Sequence, residues 1–259
     1  MHRTVKRAVS VFILFLSCSS LEAESVMVAV SANFTSTMKE LVSLFQKGTE
    51  HRVEISSGAT GAFYAQIKNG APFEVLFAAD DIIPEKLINE GLADRGSRFT
   101  YAIGRVVLWS PRKSFVDSEG RVLREGKFRF LALANAAVAP YGRAAEAVLI
   151  RRGLIEALQS KLVRGESITQ TYQFIAAGNA ELGFVALSQI IGSDGRLKSG
   201  SCWIVPVDIA PPLKQDAVLL KKGKRNRAAF ALLEFMKTSR AREIIRRHGY
   251  DIVSSGRPW

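Results

Sequence analysis

Val26-Met27-Val28-Ala29-Val30-Ser31-Ala32-Asn33-Phe34 decides the fold. Its first five residues form an apolar, partly β-branched run of strand length. Ser31 to Asn33 is a polar turn, after which Phe34, Met38, Leu41, Val42 and Phe45 recur at helical spacing. The unit reads strand, turn, helix. It repeats at Val53-Glu54-Ile55-Ser56, where Ser57-Gly58-Ala59-Thr60-Gly61 is the turn and Phe63 to Ile67 opens the next helix. A third unit has the strand Val75-Leu76-Phe77-Ala78-Ala79, then Asp80-Asp81, with Pro84 at a helix start. Strands alternating with helices predict an α/β protein whose sheets are mostly parallel and flanked by helices.

Further along, Arg105 to Trp109, Phe130 to Leu133, Leu182 to Val185, Trp203 to Pro206 and Ala217 to Leu220 read as strands. Ala144 to Arg152, Ile168 to Ala177, Arg227 to Lys237 and Arg240 to Arg247 read as helices. No repeat of solenoid length and no heptad array is present. The chain is longer than one ordinary domain, so two lobes are expected. Extended stretches near Arg105 and Val205 are the places for it to cross. Lobe I is then discontinuous, built from 24–105 and 206–259, and lobe II is 106–205.

The first residues are of another kind. Arg3, Lys6 and Arg7 precede the apolar run Ala8 to Leu16, and Ser17 to Ala23 is mostly small and polar. This is the order of a secretory signal peptide, residues 1–23, and an apolar run of ~9 residues is far short of the ~20 that span a bilayer. Export to the periplasm is expected. Cys18 opens a lipoprotein alternative, disfavoured because Phe15-Leu16-Ser17 lacks the small residues a lipobox uses.

The 259 residues carry 36 Lys and Arg against 24 Asp and Glu, a formal charge of +12. The excess survives the loss of Arg3, Lys6, Arg7 and Glu22. A positive field suits nucleic acid, acidic membranes or small anions, and export argues against nucleic acid. Three His and two Cys exclude a His-rich metal site and a disulfide framework. Cys202, alone after cleavage, is expected to be a small buried hydrophobe. The basic run Lys221 to Arg227 reads as a solvated loop and helix start.

In open α/β sheets, ligands bind at the carboxyl ends of strands, where helix N-termini present free N–H groups. Four turns qualify: Ser31-Ala32-Asn33, Gly58-Ala59-Thr60-Gly61, Ala139-Pro140-Tyr141-Gly142 and Gly165-Glu166-Ser167-Ile168. Singly, Asn33, Thr60 and Ser167 are ordinary N-cap residues. Three of the turns are neutral, Glu166 being the exception, and together they place two donor-rich turns in each lobe, as a cleft closing on an anion needs. Hydroxyl, amide and backbone N–H groups hold such an anion without a counter-charge. A ligand that keeps its proton, such as hydrogen phosphate, would want an acceptor, and no Asp stands in these turns. A fully deprotonated oxyanion follows.

These residues resemble a known family. Ser31-Ala32-Asn33-Phe34, Ser56 to Gly61, Gln66-Ile67 with Asn69 to Pro72, Phe77 to Asp80, Pro140-Tyr141-Gly142 and Gly183 to Ala186 are similar, in order, to the periplasmic molybdate-binding proteins of bacterial ABC importers. The likeness runs from about Val26 to about Tyr250 and implies a type II periplasmic-binding-protein fold. It implies capture of molybdate, and of tungstate, in the interlobe cleft and delivery to a membrane permease. No cofactor and no directly bound metal are implied, since molybdenum arrives as its oxyanion, and a monomer is expected. The family's ligand positions fall on Asn33 and Thr60 in one lobe and on Tyr141 and Ile168 in the other, with Ala32 a backbone donor. Where some members carry a binding Tyr after the Gly-x-Val strand, this chain has Ala186, and Tyr141 is the relocated hydroxyl.

Competing readings have less behind them. His51 and His248 are the only histidines left after cleavage, and neither a Gly-x-Ser-x-Gly elbow nor a His-Glu-x-x-His helix occurs. Gly120 to Lys127 is too long for a Walker A loop and is followed by Phe128. An exported hydrolase using Asp80-Asp81 is therefore the weakest alternative, and an enzyme is not expected. Within binding proteins, scattered tyrosines disfavour a ferric carrier. Sulfate is the serious rival, differing from molybdate in size.

Overall fold

The structure, a computed structural model, describes residues 23–192 and 194–253. The expected signal segment, with Cys18, lies outside the described residues apart from Ala23. The chain opens with β1 (Ser25–Ser31), a 3-10 turn over Ala32–Phe34, α1 (Thr35–Lys47), β2 (Arg52–Gly58) and α2 (Thr60–Lys68). β3 (Val75–Phe77), α3 (Ile82–Asn89), β4 (Phe99–Gly104) and β5 (Val106–Ser110) follow. Then come α4 (Val122–Glu125), β6 (Leu131–Ala134), α5 (Pro140–Arg151), α6 (Ile155–Leu158) and β7 (Leu162–Gly165). Next are α7 (Ile168–Ala176), β8 (Leu182–Ala186), α8 (Leu187–Ile190) and β9 (Ser201–Ile204). The last elements are β10 (Leu213–Leu219), α9 (Arg227–Met236) and α10 (Ser239–Arg247).

The strands form two five-stranded sheets, β2-β1-β3-β10-β4 and β7-β6-β8-β5-β9. Strands of the first come from 25–104 and 213–219, those of the second from 106–204. The chain leaves the first sheet across Arg105 and re-enters it after the segment 205–212. Each sheet is mixed, where the sequence reading expects mostly parallel strands. β1 runs parallel to β2 and β3, but β10 is antiparallel to β3 and β4. β6 runs parallel to β7 and β8, but β5 is antiparallel to β8 and β9. The parallel half of each sheet is joined through helices, and the antiparallel half is made where the chain passes between sheets. A strand buried on both faces is an apolar run whichever way it points, so its direction is not readable from composition. β4 and β7 have no counterpart among the strands read from sequence.

Both faces of each sheet are covered. In lobe I, Phe34, Met38, Leu41 and Phe45 pack with Leu232, Met236 and Ile245 of α9 and α10 on one face. Phe63, Ile67, Leu87 and Ile88 of α2 and α3 fill the other. In lobe II, Tyr141, Ala145, Val148 and Leu149 of α5 cover one face, and Ile175 and Ile190 the other. Full burial of each large apolar side chain contributes roughly 1.5–3 kcal/mol. Of the three N-caps expected from sequence only Ser167 caps, accepting from Gln170 N at 3.2 Å. Asn33 lies in the 3-10 turn before α1, Thr60 is the first residue of α2 after Ala59, and Asn226 caps α9 by accepting from Ala228 N at 2.8 Å. Asn226 lies within the basic run, in which Lys224 faces Asp94 and Arg227 pairs with Glu24. The run is a partly paired surface turn and helix start. Cys202, on edge strand β9, is half-buried rather than in the core.

Candidate functional site

β1, β2 and β3 end at one rim of their sheet, and their exits lead into the Ala32–Phe34 turn, α2 and the Ala78-Ala79-Asp80 bend. β6, β7 and β8 exit likewise toward α5, α7 and α8. The two rims face each other. Ala32 and Ala79 from lobe I share one apolar cluster with Ala139, Tyr141, Ile168 and Ala186 from lobe II. Hydrogen bonds cross between them: Gly61 N–H donates to Val138 O at 2.8 Å, Thr169 Oγ1 to Ala32 O at 3.1 Å, and Ser188 Oγ to Asn33 O at 3.3 Å. A Cβ on Gly61 would stand 2.9 Å from Val138 Cα and O, so this approach requires glycine.

The five residues expected from sequence come together here, and all are buried: Ala32, Asn33, Thr60, Tyr141 and Ile168. Thr60, Tyr141 and Ile168 each stand in the first turn of a helix, where backbone N–H groups have no partner within the helix. Pro140 brings no N–H of its own, so the free donor at the start of α5 is that of Tyr141. Three positive dipole ends, from both lobes, converge.

The side chains are wired beyond what the sequence indicates. Thr60 Oγ1 lies 2.6 Å from Ser31 Oγ and accepts from Ala79 N–H at 3.0 Å. Asn33 Nδ2 donates to Gln215 Oε1 at 2.9 Å and to Tyr250 OH at 3.1 Å. Tyr250 OH donates to Asn33 O at 2.8 Å. The Asn33 amide nitrogen is thus committed within lobe I. Asn33 Oδ1 is the one buried side-chain polar atom without a partner among the described residues. The Asn33 side-chain nitrogen, the donor the sequence suggested, is therefore engaged within the protein. Tyr141 OH accepts from Gln215 Nε2 at 3.0 Å. Burial lifts the Tyr141 and Tyr250 hydroxyls above the usual phenol range, helped at Tyr141 by the neighbouring Tyr250, so both stay protonated. Ala186 is fully buried and brings no hydroxyl.

Among the described residues, one ion pair joins the lobes. Arg143, on α5, reaches Asp80 Oδ2 at 2.5 Å, while Asp80 Oδ1 accepts from Ile83 N–H at 3.1 Å. Burial raises the Asp80 carboxyl above its ordinary range, against the pull of Ile83 N–H and Arg143. Both Asp80 oxygens are thus engaged within the protein. It lines a rim pocket of about 410 Å³ with Ile82, Pro140, Arg143 and Leu213, to which none of the five candidate residues contributes. Sequence reasoning missed Ser31 as a partner of Thr60, and Gln215, Tyr101 and Tyr250 altogether. A Gln-Asp pair opening a buried apolar strand was the available signal for Gln215.

Two sheet-based lobes whose strand ends and helix starts close on each other around neutral donors define a two-lobed solute-binding protein. The chain belongs to the bacterial extracellular solute-binding protein family, which it matches over residues 26–251, and it is accordingly a binding protein and not an enzyme. It is 55% identical over 237 residues to the molybdate-binding protein ModA of Azotobacter vinelandii, covering 92% of this chain and 93% of that one. It is 50% identical over 228 residues to the molybdate-binding protein ModA of Rhodobacter capsulatus, covering 88% of each. The solved structure of the Azotobacter vinelandii periplasmic molybdate-binding protein superimposes with a TM-score of 0.86 at 42% identity, over 88% of this chain and all of that one.

Proposed function

We propose that the protein is the extracytoplasmic receptor for molybdate, and for tungstate by the same donor geometry, of an ABC-type importer. It captures the dianion between its lobes as a monomer and hands it to the membrane permease, having reached the periplasm through residues 1–23. The oxyanion sits against the hydroxyls of Thr60 and Tyr141 and the backbone N–H groups of Ala32, Asn33 and Ile168. The observation that carries this is the convergence of Thr60, Tyr141 and Ile168, from three helix starts and both lobes, on one buried place. The names borne by the relatives in Azotobacter vinelandii and Rhodobacter capsulatus support molybdate as the particular anion.

The chemistry agrees with the donor set. Every group assigned to the anion is a donor, and the buried carboxylate at the edge, that of Asp80, is engaged by Arg143 and Ile83. A dianion without a proton leaves no donor of its own unpaired, whereas hydrogen phosphate would. Calorimetric titration of the protein from Glu24 onward with molybdate, tungstate, sulfate and phosphate tests the reading. Tight one-to-one binding of molybdate and tungstate, with phosphate silent and sulfate weak, is expected. Tight sulfate binding would move the substrate while keeping the role; silence from all four would end the reading.

A further inference from the structure

Gln215 is fully buried on β10 of lobe I, beside the segment through which the chain returns from lobe II. Its two amide ends face different partners. Oε1 accepts from Asn33 Nδ2 at 2.9 Å and from Tyr101 OH at 3.1 Å, while Nε2 donates to Tyr141 OH at 3.0 Å. Asn33 belongs to lobe I and Tyr141 to lobe II, so one side chain touches both walls of the site. The placement is built into the sheet. Gln215 pairs with Ala102 but Asp216 with Thr100, so Tyr101 is an extra residue in β4, and such a bulge re-aims neighbouring side chains. Gly104, the last residue of β4, makes room: a Cβ there would lie 2.0 Å from the Tyr141 hydroxyl and 2.3 Å from Gln215 Nε2.

An amide nitrogen only donates, and a phenol has a single proton. Because Tyr141 OH accepts from Gln215, its own proton is free to point elsewhere. We infer that Gln215 is the positioning residue that fixes hydrogen-bond polarity at the anion site: donating to Tyr141, it makes that hydroxyl a donor toward the oxyanion. Accepting from Asn33, it holds that amide nitrogen away from the ligand. Rotated by half a turn, the same side chain would present Oε1 to Tyr141 and capture the proton the anion needs. Asn33 opposes the rotation, since its Nδ2 donates to Oε1 as it stands, whereas the single proton of Tyr101 is shared between Oε1 and Ala78 O, which lies nearer at 2.9 Å. The inference rests on the reading of Tyr141 as a ligand donor.

A double-mutant cycle on the whole mature protein, with sodium molybdate as the titrant, separates positioning from packing. Gln215→Met keeps the length and volume of the side chain without its polarity. It should weaken molybdate affinity by ~10-fold or more when Tyr141 is present, the size of a lost hydrogen bond to a charged group. In the Tyr141→Phe background the same change should cost less than ~2-fold, because no hydroxyl remains to be oriented. A residue that merely packs would cost the same in both backgrounds, and equal losses overturn the proposal, as does full affinity in Gln215→Met. Should Gln215→Met fail to fold, Gln215→Glu serves. It keeps an acceptor toward Asn33 and puts an oxygen where Tyr141 now receives an N–H; any charge it carries acts on the anion in both backgrounds, so the part of its effect that disappears in Tyr141→Phe is the readout. Wild-type protein that ignores molybdate, or Tyr141→Phe that binds as wild type, overturns the reading of the site itself and Gln215's role with it. Additive losses with Tyr141→Phe impaired overturn Gln215 alone.

Discussion

The two walls of the cleft are made differently. On lobe I the polar side chains are bonded to one another: Ser31 to Thr60, Thr60 to Ala79 N–H, Asn33 to Gln215 and Tyr250, and Tyr101 to Gln215. On lobe II the wall is two helix starts, Tyr141 of α5 and Ile168 of α7, set in apolar packing with Ala139 and Ala186. Lobe I is tied together by bonds among its side chains, whereas lobe II rests on its helix starts, with Tyr141 bonded across the cleft to Gln215. A change on lobe I should therefore spread to its neighbours, while a change on lobe II should stay local.

The largest effect is expected at Thr60. Thr60→Val keeps the shape and removes the hydroxyl, leaving Ala79 N–H without its acceptor and Ser31 without its partner. Calorimetry should show molybdate affinity falling by ~10- to 100-fold, and thermal unfolding should show a loss of roughly 1–3 kcal/mol for the orphaned buried N–H. Thr60→Ser should restore most of both. Wild-type affinity in Thr60→Val would mean that the lobe I network does not face the ligand.

On lobe II the sharper test removes a backbone donor. Ile168 is the first residue of α7, and Ser167 before it is extended at φ −144° and ψ 164°. Proline is tolerated at such a position and fits after an extended residue. Ile168→Pro should therefore lower affinity by ~10-fold through the missing N–H, with the helix intact by circular dichroism. Ile168→Val, which trims a buried methylene, should cost roughly 0.5–1.5 kcal/mol of stability and leave affinity alone. If Val and Pro weaken binding equally, the side chain and not the N–H is the contact.

The same asymmetry explains what could be read from the sequence. Turns that follow strands announce themselves locally, and Asn33, Thr60, Tyr141 and Ile168 were all found at them. The network behind lobe I was not. Gln215 lies 182 residues from Asn33 and Tyr250 lies 217 away, and no spacing rule links residues brought together by a sheet. Gln215 was also hidden by the reading of its strand, which began at Ala217 where β10 begins at Leu213. The bulge at Tyr101 is a matter of register between two antiparallel strands, and neither β4 nor its direction was legible in an apolar run. Asn33 shows the limit most clearly: its turn was legible, but only the partners of its amide nitrogen, 182 and 217 residues away, show that this donor is engaged within the protein.

The smallest effect is expected at the one charged link between the walls. Arg143 is about two-fifths exposed and Asp80 nearly buried, so solvent screens the pair and its loss should cost no more than about 1 kcal/mol of closing free energy. Arg143→Met should accordingly weaken molybdate binding by less than ~5-fold, mainly through faster release. The stability effect carries a sign. Burial holds the Asp80 carboxyl above its unfolded value, with Asp81 adding to the rise and Arg143 opposing it. The folded state thus binds this proton more tightly than the unfolded one, and stability falls as pH rises from the unfolded value through the folded one. Removing Arg143 lifts the folded value further and extends that window upward. The deficit of Arg143→Met in thermal unfolding should be larger at about pH 8, where the carboxylate must be buried with one partner fewer, than at about pH 5. Asp80→Asn should abolish this pH dependence, because a neutral amide needs no guanidinium to be buried. A deficit independent of pH would assign Arg143 to packing alone, and the two walls would then meet only through neutral bonds.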